Sequence, residues 1–427
     1  MKIAVIGSGI AGLSAARALD AEHDVVIFEA ADRLGGHACT VDVRHYGEPI
    51  AVDVGFIIFN RSTYPNFTRL LRELHVKAVP TRMGFSVSLD EGRFEWAIGG
   101  LGKLLAQRSN IVKPAYYKLL FEIYRFLRRS NADLDSGSIG EVSLRQYLAR
   151  HRFGPLLILR FLVPMGASIW SASTDEFLDY PAEVLLGFMR NHGLLSLKQP
   201  HWLTVAGGSR SYVEALSASL RVRVSMGRAV ARVVRGEQGP VVVDSEGGES
   251  RFDHVIVACH APDALSLIDR PTDLERRTLG ALKYSKNRTV LHGDTAVMPK
   301  RRAAWAPWNY RGVSGDREDA PVSVTYWMNV LQKIDERFPL FVTLNPPSSL
   351  RRELVFAAFD FEHPQFDRPA IDAQKRLRDI QGNGNLWFCG AYAGYGFHED
   401  GITSGLEIAQ RIVAADLKLL GSARIFR

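Results

Sequence analysis

The sequence predicts an α/β protein, in which a parallel sheet flanked by helices is interrupted by a second domain of mixed α+β structure. Three observations predict it. The chain opens on a short apolar strand followed at once by a glycine-rich turn. It closes on another apolar strand with a glycine-rich loop and a long helical stretch, and between the two lies a run of short strands ending in a third apolar segment. Short runs that are apolar at every position read as the doubly buried strands of a parallel sheet.

At 427 residues, 46% of them hydrophobic, the chain can bury a large core and should divide into about two or three domains. Charged residues make up 23%, and without a like-charge block, a low-complexity stretch or an internal repeat the composition is that of a globular protein. The apolar run Ile3 to Ile6 is broken by Gly7, Gly9 and Gly12, too early for a secretory signal. The later apolar segment Leu156 to Trp170 is interrupted by Arg160 and Pro164 and is short for a membrane span. A cytoplasmic protein is the expectation. Cys39, Cys259 and Cys389 lie far apart with no CxxC pair, which suits reduced thiols and argues against a metal site.

The net charge of +7 favours an acidic partner. Part of the surplus is local: between 103 and 129 stand Lys103, Arg108, Lys113, Lys118, Arg125, Arg128 and Arg129 against Glu122 alone. Within that stretch Tyr116, Leu119, Leu120, Ile123, Phe126 and Leu127 recur at spacings of three and four, which predicts a helix with an apolar stripe beside a basic face. Such a helix either packs on its own domain with its basic side in water or rests on an anionic membrane surface.

The N-terminal motif carries the strongest chemistry. Lys2 to Ile6 reads as a strand, Gly7-Ser8-Gly9-Ile10-Ala11-Gly12 as a turn, Leu13 to Leu19 as a helix, and Val25 to Phe28 as a second strand ending in Glu29. Gly7 makes the tight turn, Gly9 lets backbone approach a pyrophosphate, Gly12 lets helix and strand pack closely, and the helix N-terminus faces the anion. Glu29 lies where a carboxylate accepts hydrogen bonds from a ribose. This is a Rossmann-like dinucleotide site.

The continuation Glu29-Ala-Ala-Asp-Arg33-Leu-Gly35-Gly36-His37 resembles the glutamate, arginine and double-glycine extension of the FAD-dependent amine oxidase and phytoene desaturase superfamily. The resemblance implies FAD as cofactor, with Arg33, Gly35 and Gly36 holding the pyrophosphate and bringing the chain under the flavin. His37 stands where the amine oxidases often have arginine. Leu386 to Cys389, Gly390-Ala391 and the loop Gly394 to Gly401 before a helix from Ile402 to Leu417 resemble the superfamily's C-terminal flavin motif, with backbone N–H groups from Gly401 to Ser404 aimed at an electron-rich flavin edge. Cys389 could attach a flavin, yet it ends a buried strand and reads as a small hydrophobe.

Val222 to Val224, Ala229 to Val234, Pro240 to Asp244 and Phe252 to Ala258 read as strands after Gly207-Gly208-Ser209-Arg210, matching the superfamily's meander, whose backbone meets the adenine near the position of Val230. The FAD-binding domain is then discontinuous, formed by about 1–75, 200–275 and 380–427. The stretches 76–199 and 276–379 would pair into a substrate domain. The cofactor-binding candidates are Gly7, Gly9, Ala11, Gly12, Glu29, Ala30, Arg33, Gly35, Gly36, Gly55, Phe56, Val230, Gly390, Ala391, Gly401 and Ile402.

A narrower resemblance spans nearly the whole chain. Gly35 to Thr40, Asp53 to Asn60 with Tyr64-Pro65-Asn66, Ile169-Trp170-Ser171, Asn191-His192-Gly193, Trp308-Asn309-Tyr310 and Gly396 to Gly401 together resemble the bacterial flavoproteins of cyclopropane and methyl fatty acid synthesis. These include a desaturase of methylated unsaturated acyl chains in furan fatty acid formation and a flavoprotein partner in ten-methyl fatty acid synthesis. The resemblance implies an oxidoreductase that desaturates a fatty acyl chain of a phospholipid. In the accessory role it also implies a fatty acid methyltransferase partner, and with the basic amphipathic segment above the expectation is a cytoplasmic protein peripheral on the inner face of the cell membrane. Nucleic acid is not among the expected partners. An amine oxidase of the same fold is the rival reading.

Desaturation needs a base near the flavin. His398, Glu399 and Asp400 stand in the loop matched to the flavin edge; Glu399 is the preferred base and Asp400 a group that orients flavin or backbone, the alternative being that both acids cap the following helix at Ile402. His192 and His260 read as structural histidines. Trp170, Tyr180, Trp202, Trp305, Trp308, Tyr310, Tyr326 and Trp327 would line an acyl tunnel or fill a plain core.

Overall fold

Five parallel strands, in the spatial order Arg223–Met226, Asp24–Glu29, Lys2–Ile6, His254–Val257 and Leu386–Phe388, make the central sheet of the protein. The structure is a computed structural model, and it describes residues 1–45, 47–170, 173–196, 200–313 and 323–425; Ser171 lies outside them. The middle strands are buried on both faces, which is why their sequences are apolar at nearly every position.

Helix α1 (Ile10–Leu19) leaves the turn after the first strand and buries eight of its ten residues. Two glycines are required there. Gly7 has φ +101°, and a Cβ on it would lie 2.9 Å from the Ala258 carbonyl oxygen; one on Gly12 would lie 2.0 Å from the Gly7 oxygen. The first is a backbone conformation that side chains resist, the second a contact no side chain survives. The strands Val230–Val234, Val241–Asp244 and Glu249–Arg251 form the expected antiparallel meander.

The second sheet has seven strands, in the order Val355–Pro364, Tyr284–His292, Phe341–Leu344, Ser323–Trp327, Trp308–Gly312, Phe85–Leu89 and Phe94–Ala97. All come from 85–97 and 284–364. A small three-stranded sheet of Phe59–Asn60, Trp202–Val205 and Ala78–Pro80 runs between the two regions. Asp53 fastens the segments: buried, it accepts the hydroxyl of Thr40 at 2.6 Å, the N–H of Ser209 at 2.8 Å and the side-chain amide of Gln332 at 3.0 Å.

Three further helices position the site. Helix α2 (Pro65–Glu73) starts on proline, whose fixed φ suits a first turn, and has no side-chain cap of its own. Helix α3 (Pro114–Ser136) contains the stripe read from the sequence and ends at Gly137 in the left-handed conformation. It buries Tyr116, Leu119, Phe126 and Leu127, while Leu120 and Ile123 are half-buried. Helix α4 spans His398–Ile425. It therefore begins four residues before the expected Ile402, and the sequence His398-Glu399-Asp400 is its first turn, not a loop. Gly401 misled the reading because glycine in a helix interior is unfavourable; here Cβ contact with Ile10, at 2.8 Å, would push the two helices apart.

The stretch Leu156 to Trp170 is helical and mostly buried in the core of the second region. Among the described residues no helix is long and apolar enough to cross a membrane.

Candidate functional site

A cavity of about 1340 Å³ runs from the first glycine turn, past the start of α4, to α3. At its first end the strand Asp24–Glu29 delivers Glu29 beside Ser8; the carboxylate accepts the Ser8 N–H at 2.9 Å, the Ser8 hydroxyl at 2.5 Å and the Ala31 N–H at 2.9 Å. Gly9 caps α1 without any side-chain hydrogen bond, and a Cβ built on it meets no atom within 4 Å. The helix N-terminus thus faces open space bounded by backbone, a seat for an anionic group. Residues Gly35 and Gly36 fold back onto this turn, Gly35 donating its N–H to the Ser8 carbonyl at 3.0 Å.

Of the cofactor-binding candidates, Gly7, Gly9, Ala11, Glu29, Ala30, Gly35, Gly36, Gly55, Phe56, Val230, Gly390, Ala391 and Gly401 line the cavity. Three do not. Gly12 is consumed by packing, and Ile402 is a core residue at 2% exposure. Arg33 donates to the carbonyl oxygens of Gly36 at 2.9 Å and Ala38 at 3.4 Å, so its guanidinium braces the double-glycine turn from behind.

The expected catalytic group separates in the same way. His398 lines the cavity, stacks on Phe56 with centroids 3.9 Å apart, and its Nε2 lies 2.7 Å from the Tyr212 hydroxyl. Burial depresses its pKa to about 3, so the ring is neutral. Glu399 does not reach the cavity. Its two oxygens accept the backbone N–H groups of Asn66 and Phe67 at 2.8 and 3.0 Å, making it the missing cap of α2. Asp400 accepts the Phe397 N–H at 2.9 Å, and burial raises its carboxyl to about 6. Glu399 is therefore corrected from candidate base to structural cap, because its lone pairs face backbone donors, whereas Asp400 orients backbone, at Phe397.

A cluster of histidines, His37, His260 and His363, lines the cavity, which neither Glu399 nor Asp400 does. The ring of His37 lies 4.8 Å from Phe361, 5.5 Å from His363 and 6.2 Å from His260. Its Nε2 is buried without a partner among the described residues. Burial, then the neighbouring His363 and His260, hold the His37 pKa well below the ordinary value, and burial takes His363 to about 4. His260 stacks on Tyr284 and has Glu362 at 3.4 Å and Asp263 at 3.8 Å from its Nδ1. His192 stacks on Phe188 with centroids 4.0 Å apart and borders the cavity. Cys389 is buried and lies outside the lining.

Strand Val355–Pro364 brings Phe361, Glu362 and His363 to the cavity, and none was singled out in the sequence. The alternation Ala357, Phe359, Phe361, His363 was the available signal. Of the dense aromatics, Trp170, Trp202, Trp308 and Tyr326 line the cavity, whereas Trp305 and Trp327 pack in a separate cluster with Phe341. The indole N–H groups of Trp170, Trp202 and Trp308 are buried without partners among the described residues.

Residues 10–291 match the family described as flavin containing amine oxidoreductase. AofH of Mycobacterium tuberculosis (strain CDC 1551 / Oshkosh), whose name is that of a flavin-containing monoamine oxidase, is 28% identical over 343 residues, covering 76% of this chain and 70% of its own. A redesigned putrescine oxidase superposes with a TM-score of 0.71 at 15% identity, covering 97% of this chain and 99% of that one. A CLA-producing fatty acid isomerase from P. acnes superposes with a TM-score of 0.67 at 14% identity, covering 96% and 98%.

Proposed function

Starting from a chain that belongs to the flavin containing amine oxidoreductase family and is an FAD-dependent oxidoreductase, we propose that it desaturates a fatty acyl chain that is already unsaturated and methyl-branched. The observation that carries this reading is the wall of the cavity beyond the cofactor cradle. Trp96, Leu120, Ile123, Leu127, Phe161 and Met165 form it, and the lining contains no lysine or arginine. Of its acids, Glu29 is bound to Ser8, and Asp263 and Glu362 flank His260. A long apolar ligand fits such a wall, because each buried methylene contributes about 0.8 kcal/mol. The fatty acid isomerase of P. acnes supports the reading by carrying its activity on the same fold.

When bound, FAD supplies a two-electron acceptor for a hydride. The chain's own residues hold the acyl group, exclude water and receive a proton. An unactivated methylene is a poor hydride donor, whereas an allylic carbon leaves a delocalised cation that a methyl branch stabilises further. A C–H beside such a cation is strongly acidic, so a weakly basic neutral imidazole suffices as acceptor. On this reading His37 takes that proton at its unpartnered Nε2, and the product is a conjugated diene. His398, neutral and fixed between Phe56 and Tyr212, keeps charge away from the same wall.

Amine oxidation is the second reading. It is supported by the name of the M. tuberculosis relative and by the pairing of an acid, Glu362, with aromatic rings along the cavity. Anaerobic mixing separates the two. A lipid bearing a methylated monounsaturated chain should bleach the flavin and lose two hydrogens with a new diene absorbance. Bleaching by putrescine or cyclohexylamine, and never by the lipid, would establish amine oxidation instead.

A further inference from the structure

Single exposed apolar side chains are ordinary on a protein surface, but a contiguous group of large ones marks a contact surface. Between residues 101 and 124 this chain exposes such a group. Val112 is 80% exposed, Leu101 78%, Phe121 63%, Tyr117 52%, Tyr124 48% and Ile111 41%. On α3, Tyr117, Phe121 and Tyr124 are spaced by four and three residues and so share one stripe. The stripe borders the cavity directly. Tyr124 belongs to both, Leu120 and Ile123 beside it line the interior, and the exposed Gly99 and Gly100 complete the rim.

Within residues 101 to 128 the exposed charge is of one sign. Arg108, Lys113, Lys118 and Arg128 are exposed and enter no ion pair among the described residues. Glu122, the one acid in the stretch, is buried. Arg125 and Arg129 are different: Arg125 donates to the Arg152 carbonyl and stacks on Phe153, and Arg129 pairs with Asp133 at 2.9 Å. Those two serve the fold, as does Lys103, which donates to the Trp305 carbonyl, and the remaining four cations are exposed.

We propose that the face formed by residues 101 to 128 docks on an anionic lipid bilayer, with the cavity mouth set against the acyl layer. Charge complementarity selects the occupant. Apolar and aromatic tips enter the headgroup boundary while lysines and arginines meet lipid phosphates, an arrangement suited to an anionic membrane interface. A protein interface would instead be depleted of lysine at its centre. The docking itself does not depend on the acyl-chain reading; what rests on that reading is the further step that the substrate enters from the bilayer, without crossing water.

The test uses the FAD-loaded protein and flotation with vesicles of phosphatidylcholine, alone or mixed with phosphatidylglycerol. The mixed vesicles should bind it, and binding should weaken as salt rises. Val112→Asp with Phe121→Asp should lower the partition constant at least about tenfold. Lys113→Glu with Lys118→Glu should lower it by about tenfold at low salt. All four side chains are exposed, so flavin absorbance and the unfolding midpoint should be unchanged. Wild-type binding by the aspartate pair, or equal binding to neutral vesicles at every salt concentration, would overturn the proposal. So would conversion of a self-associated holoenzyme to monomer by that pair without vesicle binding, which would place a second copy of the chain on this face. Vesicle binding without oxidation of any acyl chain leaves docking standing and removes the acyl-chain reading. Oxidation of detergent-dispersed acyl lipid without vesicle binding does the reverse.

Discussion

Glu399 accepts the backbone N–H of Phe67 at 3.0 Å across a sequence separation of 332 residues. Its other oxygen takes the N–H of Asn66, so one carboxylate closes the N-terminus of α2 from the first turn of α4. Removing a cap of this kind costs about 1–2 kcal/mol. Glu399→Ala should therefore lower the unfolding midpoint and loosen FAD, while the flavin that remains bound is reduced at a near-normal rate. Calorimetry with stopped-flow flavin reduction checks it; normal stability with reduction slowed by orders of magnitude would restore Glu399 as the base.

Glu29 sits at the strand end where a ribose would bind, already surrounded by three donors. Replacing it with alanine removes a charged acceptor worth about 1.5–3 kcal/mol. The FAD dissociation constant should rise by roughly ten- to a hundredfold. The apoprotein's unfolding midpoint should fall as well, because the Ser8 and Ala31 donors lose their acceptor, so FAD titration is read on a variant that thermal melts show to be folded.

His37 offers a sharper test of the proposed proton transfer. His37→Ala should slow flavin reduction by acyl lipid about a hundredfold or more while FAD stays bound. Because burial and neighbouring histidines hold the His37 pKa well below the ordinary value of 6.5, the acceptor remains neutral through neutral pH. The wild-type rate should be flat there and fall only on acidification below pH 6.5. A rate that drops as pH rises through neutrality would count against His37.

The stability of the protein should also respond to acid, through His292. This residue is fully buried, its Nε2 lies 2.7 Å from the Thr343 hydroxyl and its Nδ1 accepts the Asp294 N–H at 3.1 Å. Burial lowers its pKa to about 4, so between that value and 6.5 the unfolded state binds the extra proton. Stability is then fully present above pH 6.5 and is lost as pH falls toward 4, by a few kcal/mol at about 1.4 kcal/mol per pKa unit. Denaturant melts of His292→Gln should show a shallower loss across that window than wild type.

What could be read from the sequence was whatever a short segment decides alone. Gly7 answers to its own positive φ and Gly12 to the Gly7 carbonyl within the same turn, and the apolar strands to burial on both faces, so the dinucleotide cradle was visible in advance. The histidine cluster was not, because His37 meets Phe361 and His363 only after two distant segments are folded together. Glu399 was misplaced for a related reason. An acid near a glycine loop looks the same in sequence whether it faces a ligand or a helix end far away in the chain. Arg33 shows the complement: its motif was recognised, but a guanidinium can brace a turn's carbonyls as readily as it can hold a phosphate.

The position of Leu386–Phe388 at the sheet edge, against His254–Val257 alone, bears on how the protein is made. A ribosome-bound chain that has emerged only to residue 380 holds four of the five parallel strands, yet lacks Gly390, Ala391 and Gly401, which wall one side of the cavity. The wall of the cavity is consequently complete only after residue 401 has been made. Until then His254–Val257 presents an unpaired apolar edge, so chains stalled or cleaved before Leu386 should aggregate before they ever turn yellow.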